Sequence, residues 1–138
     1  MAHEVFEKPV RSPPAIGRSN GKVLVVDDDE QFRVLARAIL EPSGFDVIES
    51  GDMQHCMLQL RYQAVDALIL DMVMPGRDGI EALRELKQLF PEVRIVAVSG
   101  AEQSDLYLSV SAHLGADASL EKARVSALGP LLQLVLDR

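Results

Sequence analysis

The chain has 138 residues, enough for one compact domain with its own core and too few for two domains of ordinary size. Apolar residues make up 48% and charged residues 25% of it, which excludes a chain that is disordered throughout. The net charge is −7 and the Lys and Arg residues are scattered, which argues against direct binding to nucleic acid or to an anionic membrane surface.

Residues 1–20 are predicted to form a flexible N-terminal leader. They contain three prolines and one glycine, and they show neither a helical nor a strand period of apolar residues. They also lack the apolar run of about 7–15 residues that a secretory signal needs, and no stretch of the chain approaches the roughly 20 apolar residues of a membrane span. We therefore expect a cytoplasmic protein with one domain over residues 21–138.

Beyond the leader, short apolar runs alternate five times with amphipathic stretches. The predicted strands are KVLVV, FDVIES, ALIL, VRIVAVS and ASL, which start at residues 22, 45, 67, 93 and 118. The predicted helices are EQFRVLARAIL, MQHCMLQLRYQ, IEALRELKQLF, SDLYLSVSAHL and SALGPLLQLVL, which start at residues 30, 53, 80, 104 and 126. Continuous apolar strands are typical of sheets covered on both faces. The alternation predicts a five-stranded parallel sheet flanked by five helices, a doubly wound, flavodoxin-like (βα)5 fold.

Local signals mark the ends of several helices. Asp29 precedes the first helix and is expected to be its N-cap, whereas Gly44 and Pro91 act as stop signals after the first and third helices. Pro130 lies inside the apolar pattern of the fifth helix, where a proline forfeits a hydrogen bond. We therefore expect this helix to start near Ser126 as N-cap, with Pro130 in its first turn or just past it.

Polar side chains that could bind a ligand or take part in a reaction follow the strands at their carboxyl ends. Asp27 and Asp28 follow the first strand, and Asp71 ends the third. Ser99 ends the fourth strand, and Lys122 comes just past the fifth. Sites in open parallel α/β sheets form at this edge, so we expect the five side chains to share one small patch.

Three neighbouring carboxylates need a proton or a cation to offset their repulsion. Oxygen ligands without His or Cys favour Mg²⁺. With that repulsion removed, Asp71 becomes a candidate nucleophile toward a phosphoryl group, and Ser99 and Lys122 could bind the phosphoryl oxygens. Each residue taken singly has a commoner interpretation as a cap, a turn former or a solvated lysine. The hypothesis depends on their shared position at the ends of consecutive units.

Four stretches of the chain resemble the receiver domain of bacterial two-component response regulators. They are VLVVDDDE, LILDMVMPGRDG, IVAVSGA and GADASLEK, which start at residues 23, 68, 95 and 115. The resemblance runs from about Lys22 to the C-terminus, and single-domain receivers of the chemotaxis type are the nearest kind. It implies that Asp71 accepts a phosphoryl group from a histidine kinase or a phosphotransfer protein. It also implies that Ser99 and Lys122 contact that group, in a signalling domain rather than an enzyme with external substrates.

The resemblance further implies Mg²⁺ as cofactor. Asp28 and Asp71 would be direct ligands, Val73 a ligand through its backbone carbonyl, and Asp27 a ligand through a water. Phosphorylation would shift the surface formed by the fourth helix, the fifth strand and the fifth helix. That surface would then bind an unknown downstream protein or a second copy of the chain.

Two positions depart from the family's pattern. Ser119 stands where many receivers carry an aromatic residue, and Ala123 follows the lysine in place of the usual proline. The cis peptide common at that proline is therefore not expected. These departures predict intact phosphorylation chemistry with an altered readout.

Three alternatives follow from the same residues. A phosphohydrolase of the haloacid dehalogenase type is disfavoured, because it needs a second acidic residue two positions after its nucleophile and Val73 stands there. A nucleotide-binding domain is also disfavoured, because it needs a glycine-rich first loop and this loop reads DDDEQ. A pseudo-receiver, which is an interaction module not regulated by phosphorylation, stays open because of Ser119 and Ala123. Both a stand-alone receiver and a piece of a longer regulator also stay open.

Overall fold

The structure is a computed structural model that describes residues 19–100 and 104–137. Within that part of the chain, one sheet is built from the strands β1 (Lys22–Val26), β2 (Asp46–Ser50), β3 (Ala67–Asp71), β4 (Arg94–Ser99) and β5 (Ala118–Glu121). The α-helices are α1 (Glu30–Leu40), α2 (Met53–Tyr62), α3 (Gly79–Leu89), α4 (Ser104–His113) and α5 (Leu128–Leu136). The strand order is β2-β1-β3-β4-β5, and every neighbouring pair is parallel. The predicted doubly wound (βα)5 fold is confirmed.

The sheet separates two apolar layers. Along β3, Leu68 and Leu70 pack on the face that carries α2 and α3, whereas Ala67 and Ile69 pack on the face that carries α1 and α5. All residues of β3 are buried. The central strands therefore read as continuous apolar runs because helices cover both of their faces.

The fifth helix starts later than the sequence predicts. Lys122–Ala127 forms a 3-10 helix, and α5 begins at Leu128 with Ala127 in the N-cap position and no side-chain cap. The prediction that Ser126 is the N-cap is therefore wrong, although α5 starts only two residues after it. Pro130 is the third residue of α5 and so lies in its first turn, as predicted. An N–H at that position would have no partner within the helix, so proline costs nothing there.

The described chain begins at the end of the predicted leader. The N–H of Asn20 donates to the carbonyl of Gly44 at 2.7 Å, and its side-chain amide donates to the carbonyl of Ser43 at 2.8 Å. The predicted flexibility of residues 1–18 concerns a segment outside the described residues. Among the helices that the structure does describe, none has the length and apolarity to cross a membrane.

Candidate functional site

The carboxyl ends of β1 and β3 bring three carboxylates together. One oxygen from each of Asp27, Asp28 and Asp71 lies within 4.8 Å of the other two. Asp27 and Asp71 are buried residues, with exposed fractions of 0% and 2%, whereas Asp28 is exposed. The cause is that β1 and β3 are adjacent and parallel, so both strands end at the same edge.

Lys122 reaches both buried carboxylates from the end of β5. Its Nζ lies 2.6 Å from Oδ2 of Asp27 and 3.4 Å from Oδ2 of Asp71. The same ammonium lies 4.8 Å from the centre of the Phe32 ring, within the range of a cation–π contact. Gly100 borders its stem, since a Cβ added there would lie 3.0 Å from Cδ of Lys122. These contacts place one positive charge between two buried acids.

The acidic run after β1 divides into two functions. Oδ1 of Asp27 accepts a hydrogen bond from the N–H of Asp29 at 2.9 Å. Asp29 in turn accepts from the N–H of Gln31 at 2.9 Å and is the N-cap of α1, as predicted. Asp27 and Asp28 thus belong to the pocket, whereas Asp29 begins the helix.

The loop after β3 folds back against Asp71. The N–H of Val73 donates to Oδ1 of Asp71 at 3.1 Å. Val73–Met74 and Arg77–Asp78 then pair as a small antiparallel hairpin, whose turn contains Gly76 with a φ of +74°. The sequence does not predict this hairpin, because two residues per strand are too few to show a period.

The protonation of Asp71 is set by its surroundings. Burial raises the pKa of Asp71 to about 7. This pKa is the net result of several effects: burial is the largest, the N–H of Val73 and the charge of Lys122 lower it, and the charge and hydrogen bond of Asp27 raise it. A cation bound here would favour the ionised, nucleophilic carboxylate. Burial alone would lower the pKa of Lys122, yet the hydrogen bond to Asp27 and the charge of Asp71 leave it raised, so the amine stays charged.

Ser99 stands at the same edge of the sheet. In the β3–β4 ladder Asp71 pairs with Val98, so Ser99 lies one residue further along the neighbouring strand. Its side chain is 0% exposed, and its Oγ has no hydrogen-bond partner among the described residues. Because buried hydroxyls are almost always paired, this one is an unused donor at the edge where the carboxylates meet.

The donor set suits a hard cation. Within the described residues, the cluster offers three carboxylates and no His or Cys, which is the ligand chemistry of Mg²⁺ or Ca²⁺. The exposed carboxylate of Asp28 leaves the pocket open to solvent, as a cation that retains water ligands requires. The residues present therefore fit Mg²⁺.

A comparison with protein families decides the assignment. Residues 23–128 match the family described as the response regulator receiver domain. The chain belongs to this family. The predicted recognition is thereby confirmed.

Curated relatives agree with this receiver assignment. The chain is 36% identical over 106 residues to the alkaline phosphatase synthesis transcriptional regulatory protein PhoP of Bacillus subtilis, which covers 75% of this chain and 42% of that protein. It is 28% identical over 97 residues to sporulation initiation phosphotransferase F of Bacillus subtilis, which covers 70% of this chain and 77% of that protein. The receiver thus spans about two fifths of the first of these relatives.

A solved structure shows the same receiver fold. A CheY-like response regulator receiver domain protein from Methanospirillum hungatei superposes with a TM-score of 0.77 at 25% identity. The match covers 86% of this chain and 95% of that one.

The two departures from the family's pattern lie near Lys122. Ser119 is exposed on β5, where it pairs with Ala97 of β4. Ala123 is exposed in the 3-10 helix that follows this strand. The receiver thus presents a small hydroxyl side chain on β5, where the resemblance leads one to expect a ring.

One residue beside the receiver's site was missed by the sequence reasoning, and the structure explains a second, Gly79, which belongs to a run that resembles receivers. Phe32 contributes the ring beneath the ammonium of Lys122, although its helical spacing marks it only as a core residue. Gly79 begins α3 against the loop after β3, where an added Cβ would lie 2.1 Å from the carbonyl oxygen of Met72. Gly79 ends the run PGRDG, so the resemblance already includes it, and the structure gives the reason, because a side chain there would have no room.

Proposed function

We propose that this receiver accepts a phosphoryl group on Asp71 from a histidine kinase or a histidine phosphotransfer protein, in a step that requires Mg²⁺. One observation carries the proposal: the buried Asp71 shares its pocket with Asp27 and Asp28 and lies 3.4 Å from the ammonium of Lys122. A carboxylate oxygen of Asp71 attacks phosphorus, the phosphorus–nitrogen bond of the phosphohistidine breaks, and an acyl phosphate remains on the chain.

The surrounding residues have distinct roles in the proposed transfer. Asp28, Asp71 and the carbonyl of Val73 would hold Mg²⁺ directly, and Asp27 would hold it through a water. When bound, the ion supplies positive charge that offsets the repulsion between carboxylate and phosphoryl oxygens. Lys122 supplies a second positive charge, 3.4 Å from Oδ2 of the acceptor.

Ser99 completes the set of donors around the acceptor. Its buried Oγ, unpaired among the described residues, is free to donate to a phosphoryl oxygen. Making that bond would remove the cost of a buried, unsatisfied hydroxyl, which is on the order of 1–3 kcal/mol. Occupation of the site and the position of Ser99 are therefore coupled.

The proposed output is a change in protein binding, with no reaction on an external substrate. Ser99 ends the strand that precedes α4, and Lys122 directly follows β5. Movement of either residue would therefore be passed to the surface formed by α4, β5 and α5. This surface would bind an unknown downstream protein or a second copy of the chain. We propose the cytoplasm as the place where this occurs.

A pseudo-receiver that signals without phosphorylation is the second candidate. It is favoured by the exposed Ser119 and Ala123, which replace the residues that usually accompany the phosphorylation switch. The pocket of Asp27, Asp71 and Lys122 favours the first proposal, because nothing in an interaction module requires two buried carboxylates.

Intact mass spectrometry separates the two candidates. We expect the wild type, incubated with Mg²⁺ and acetyl phosphate, to gain one labile phosphoryl group. Asp71→Asn should gain none, whereas Asp46→Asn should behave as the wild type because Asp46 lies exposed at the opposite edge of the sheet. An unmodified wild type would leave the pseudo-receiver as the function. Sustained phosphate release from unrelated phosphomonoesters would instead indicate a hydrolase.

A further inference from the structure

Arg33, early in α1, contacts the main chain of the acidic pocket and not its carboxylates. Its Nη1 donates to the carbonyl oxygen of Asp27 at 2.7 Å, and its Nε donates to Oε1 of Glu49 on β2 at 3.0 Å. The side chains of Arg33 and Glu49 are largely covered, with exposed fractions of 18% and 24%. Arg33 therefore links β2 to the end of β1 through two defined hydrogen bonds.

A second arginine holds the same glutamate. Arg37, one turn further along α1, donates from Nε to Oε2 of Glu49 at 2.8 Å. Burial alone would raise the pKa of Glu49, but the hydrogen bonds from Arg37 and Arg33 leave it lowered, so the glutamate stays charged. Each arginine occupies one carboxylate oxygen of Glu49, and of these two arginines Arg33 is the one that continues to Asp27.

The backbone hydrogen bonds of Asp27 orient the peptide unit between Asp27 and Asp28. The N–H of Asp27 donates to the carbonyl of Ser50 at 3.0 Å, which ties the residue to β2. The carbonyl of Asp27 and the N–H of Asp28 belong to one planar peptide unit. The hydrogen bond from Arg33 therefore sets the orientation of the peptide that leads into Asp28.

Asp28 depends on this backbone for its orientation. Its side chain is exposed, and within residues 19–100 and 104–137 its carboxylate has no hydrogen-bond or ion-pair partner. Asp27 and Asp71, in contrast, are held by Lys122 and by backbone N–H groups. The position of the Asp28 carboxylate therefore depends on the conformation of its own main chain, whereas the other two carboxylates are also held by their partners.

We propose that Arg33 is a positioning residue for the cation site, which places Asp28 by holding the Asp27 carbonyl, and that Glu49 keeps Arg33 in position. The inference rests on the proposed function, because it takes Asp28 and Asp71 as ligands of Mg²⁺. Groups that do not bind the metal but orient its ligands affect metal binding, and their loss typically lowers the metal affinity by about 10–100-fold. The inference assigns such a role to a residue that touches no ligand oxygen.

Arg37 provides the matched control, because it binds the same glutamate but has no contact with Asp27. If Arg33 acted only by fastening α1 to β2, loss of either arginine would have the same effect. If Arg33 acts through the Asp27 carbonyl, its loss alone weakens the cation site.

The test compares Mg²⁺ affinity across variants of the full chain. Titration with MgCl₂, followed through the backbone amide signals of Asp28 and Val73, gives the Kd, and urea unfolding without metal gives the basal stability. We expect Arg33→Met to raise the Kd about tenfold. Arg37→Met should stay within about twofold, because a half-exposed ion pair contributes little and does not reach the pocket. Arg33→Lys should recover part of the loss, since its ammonium can still donate to the carbonyl.

The possible results separate the inference from the proposed function. Equal Kd values for wild type and Arg33→Met, or an equal loss in Arg37→Met, overturn the positioning role while the receiver chemistry stands. A wild type that binds no Mg²⁺ overturns both. Should Arg33→Met not fold, Glu49→Gln tests the same contact, because it loosens Arg33 without removing it. A raised Kd in Glu49→Gln supports the role, and an unchanged Kd overturns it.

Discussion

The ammonium of Lys122 lies 2.6 Å from the carboxylate of Asp27, which is fully buried at the end of the first strand. A buried carboxylate is costly unless it is paired, so this contact compensates a charge that the fold would otherwise not tolerate. The same ammonium lies 3.4 Å from Asp71. Changes at Lys122 are therefore expected to affect both stability and chemistry.

Replacement of Lys122 by methionine should destabilise the protein through Asp27. The methionine keeps most of the apolar stem but removes the charge, so we expect the free energy of unfolding at pH 7 to fall by about 3 kcal/mol. Lys87→Met is the control, because Lys87 lies 3.8 Å from Asp117 in a looser ion pair and should cost less than about 1 kcal/mol. Urea unfolding measures both. Equal losses in the two variants would contradict the importance of the buried pair.

The metal-free protein should lose stability as Asp71 ionises. Burial raises the pKa of Asp71 to about 7 in the folded state, whereas an unfolded aspartate titrates near pH 3.9. The folded state holds the proton more tightly, so this contribution is complete below about pH 4 and is lost as the pH rises to about 7. The Asp71→Asn variant cannot ionise at this position, so its free energy of unfolding should rise relative to that of the wild type over this range, by up to about 4 kcal/mol.

Urea unfolding in the presence of EDTA at pH 5 and pH 8 tests this dependence on Asp71. Asp46→Asn serves as control, because Asp46 is exposed and should follow the wild type at both values. Parallel pH profiles for Asp71→Asn and the wild type would exclude a raised pKa at Asp71.

Mg²⁺ should raise the thermal midpoint of the wild type, because the pocket exists only in the folded state. At one hundred times the Kd the gain is about 2.7 kcal/mol. Asp28→Asn should reduce the gain, since it removes an exposed carboxylate from the cluster. Asp29→Ala should lower the metal-free stability by about 1 kcal/mol through loss of the N-cap, yet keep the full gain. A full gain in Asp28→Asn would count against its role as a ligand.

Gly79→Ala should disturb the loop that carries the backbone of the site. The new Cβ would lie 2.1 Å from the carbonyl oxygen of Met72, so the residue next to Asp71 must move. We expect a loss of about 3 kcal/mol in stability and slower acyl phosphate formation. Gly129→Ala, within α5, is the control, because its Cβ would meet only the movable side chain of Ser43, at 3.0 Å, and no residue of the site. Unfolding and intact mass measure the two effects, and similar behaviour of both variants would contradict the prediction.

The regular elements could be predicted from the sequence to within a residue or two. The strands β3 and β4 are continuous apolar runs, and Asp29 identifies the start of α1 by its capping side chain. The hairpin after β3 and the 3-10 helix at Lys122–Ala127 were not predicted, because segments this short have no periodic pattern. The N-cap of α5 was placed one residue too early, because the short 3-10 helix before it leaves no signal in the sequence and Ala127, the actual N-cap, has no capping side chain.

By itself, the sequence determined that Asp27, Asp28, Asp71 and Ser99 stand at one edge of a parallel sheet, because strands that run in the same direction end on the same side. Only the tertiary structure decided how far apart the reactive atoms are. The 2.6 Å contact between Lys122 and Asp27, the unpaired hydroxyl of Ser99 and the bond from Arg33 to the Asp27 carbonyl are tertiary features. Each depends on side-chain direction and on the packing of elements distant in sequence, which no local pattern of residues records.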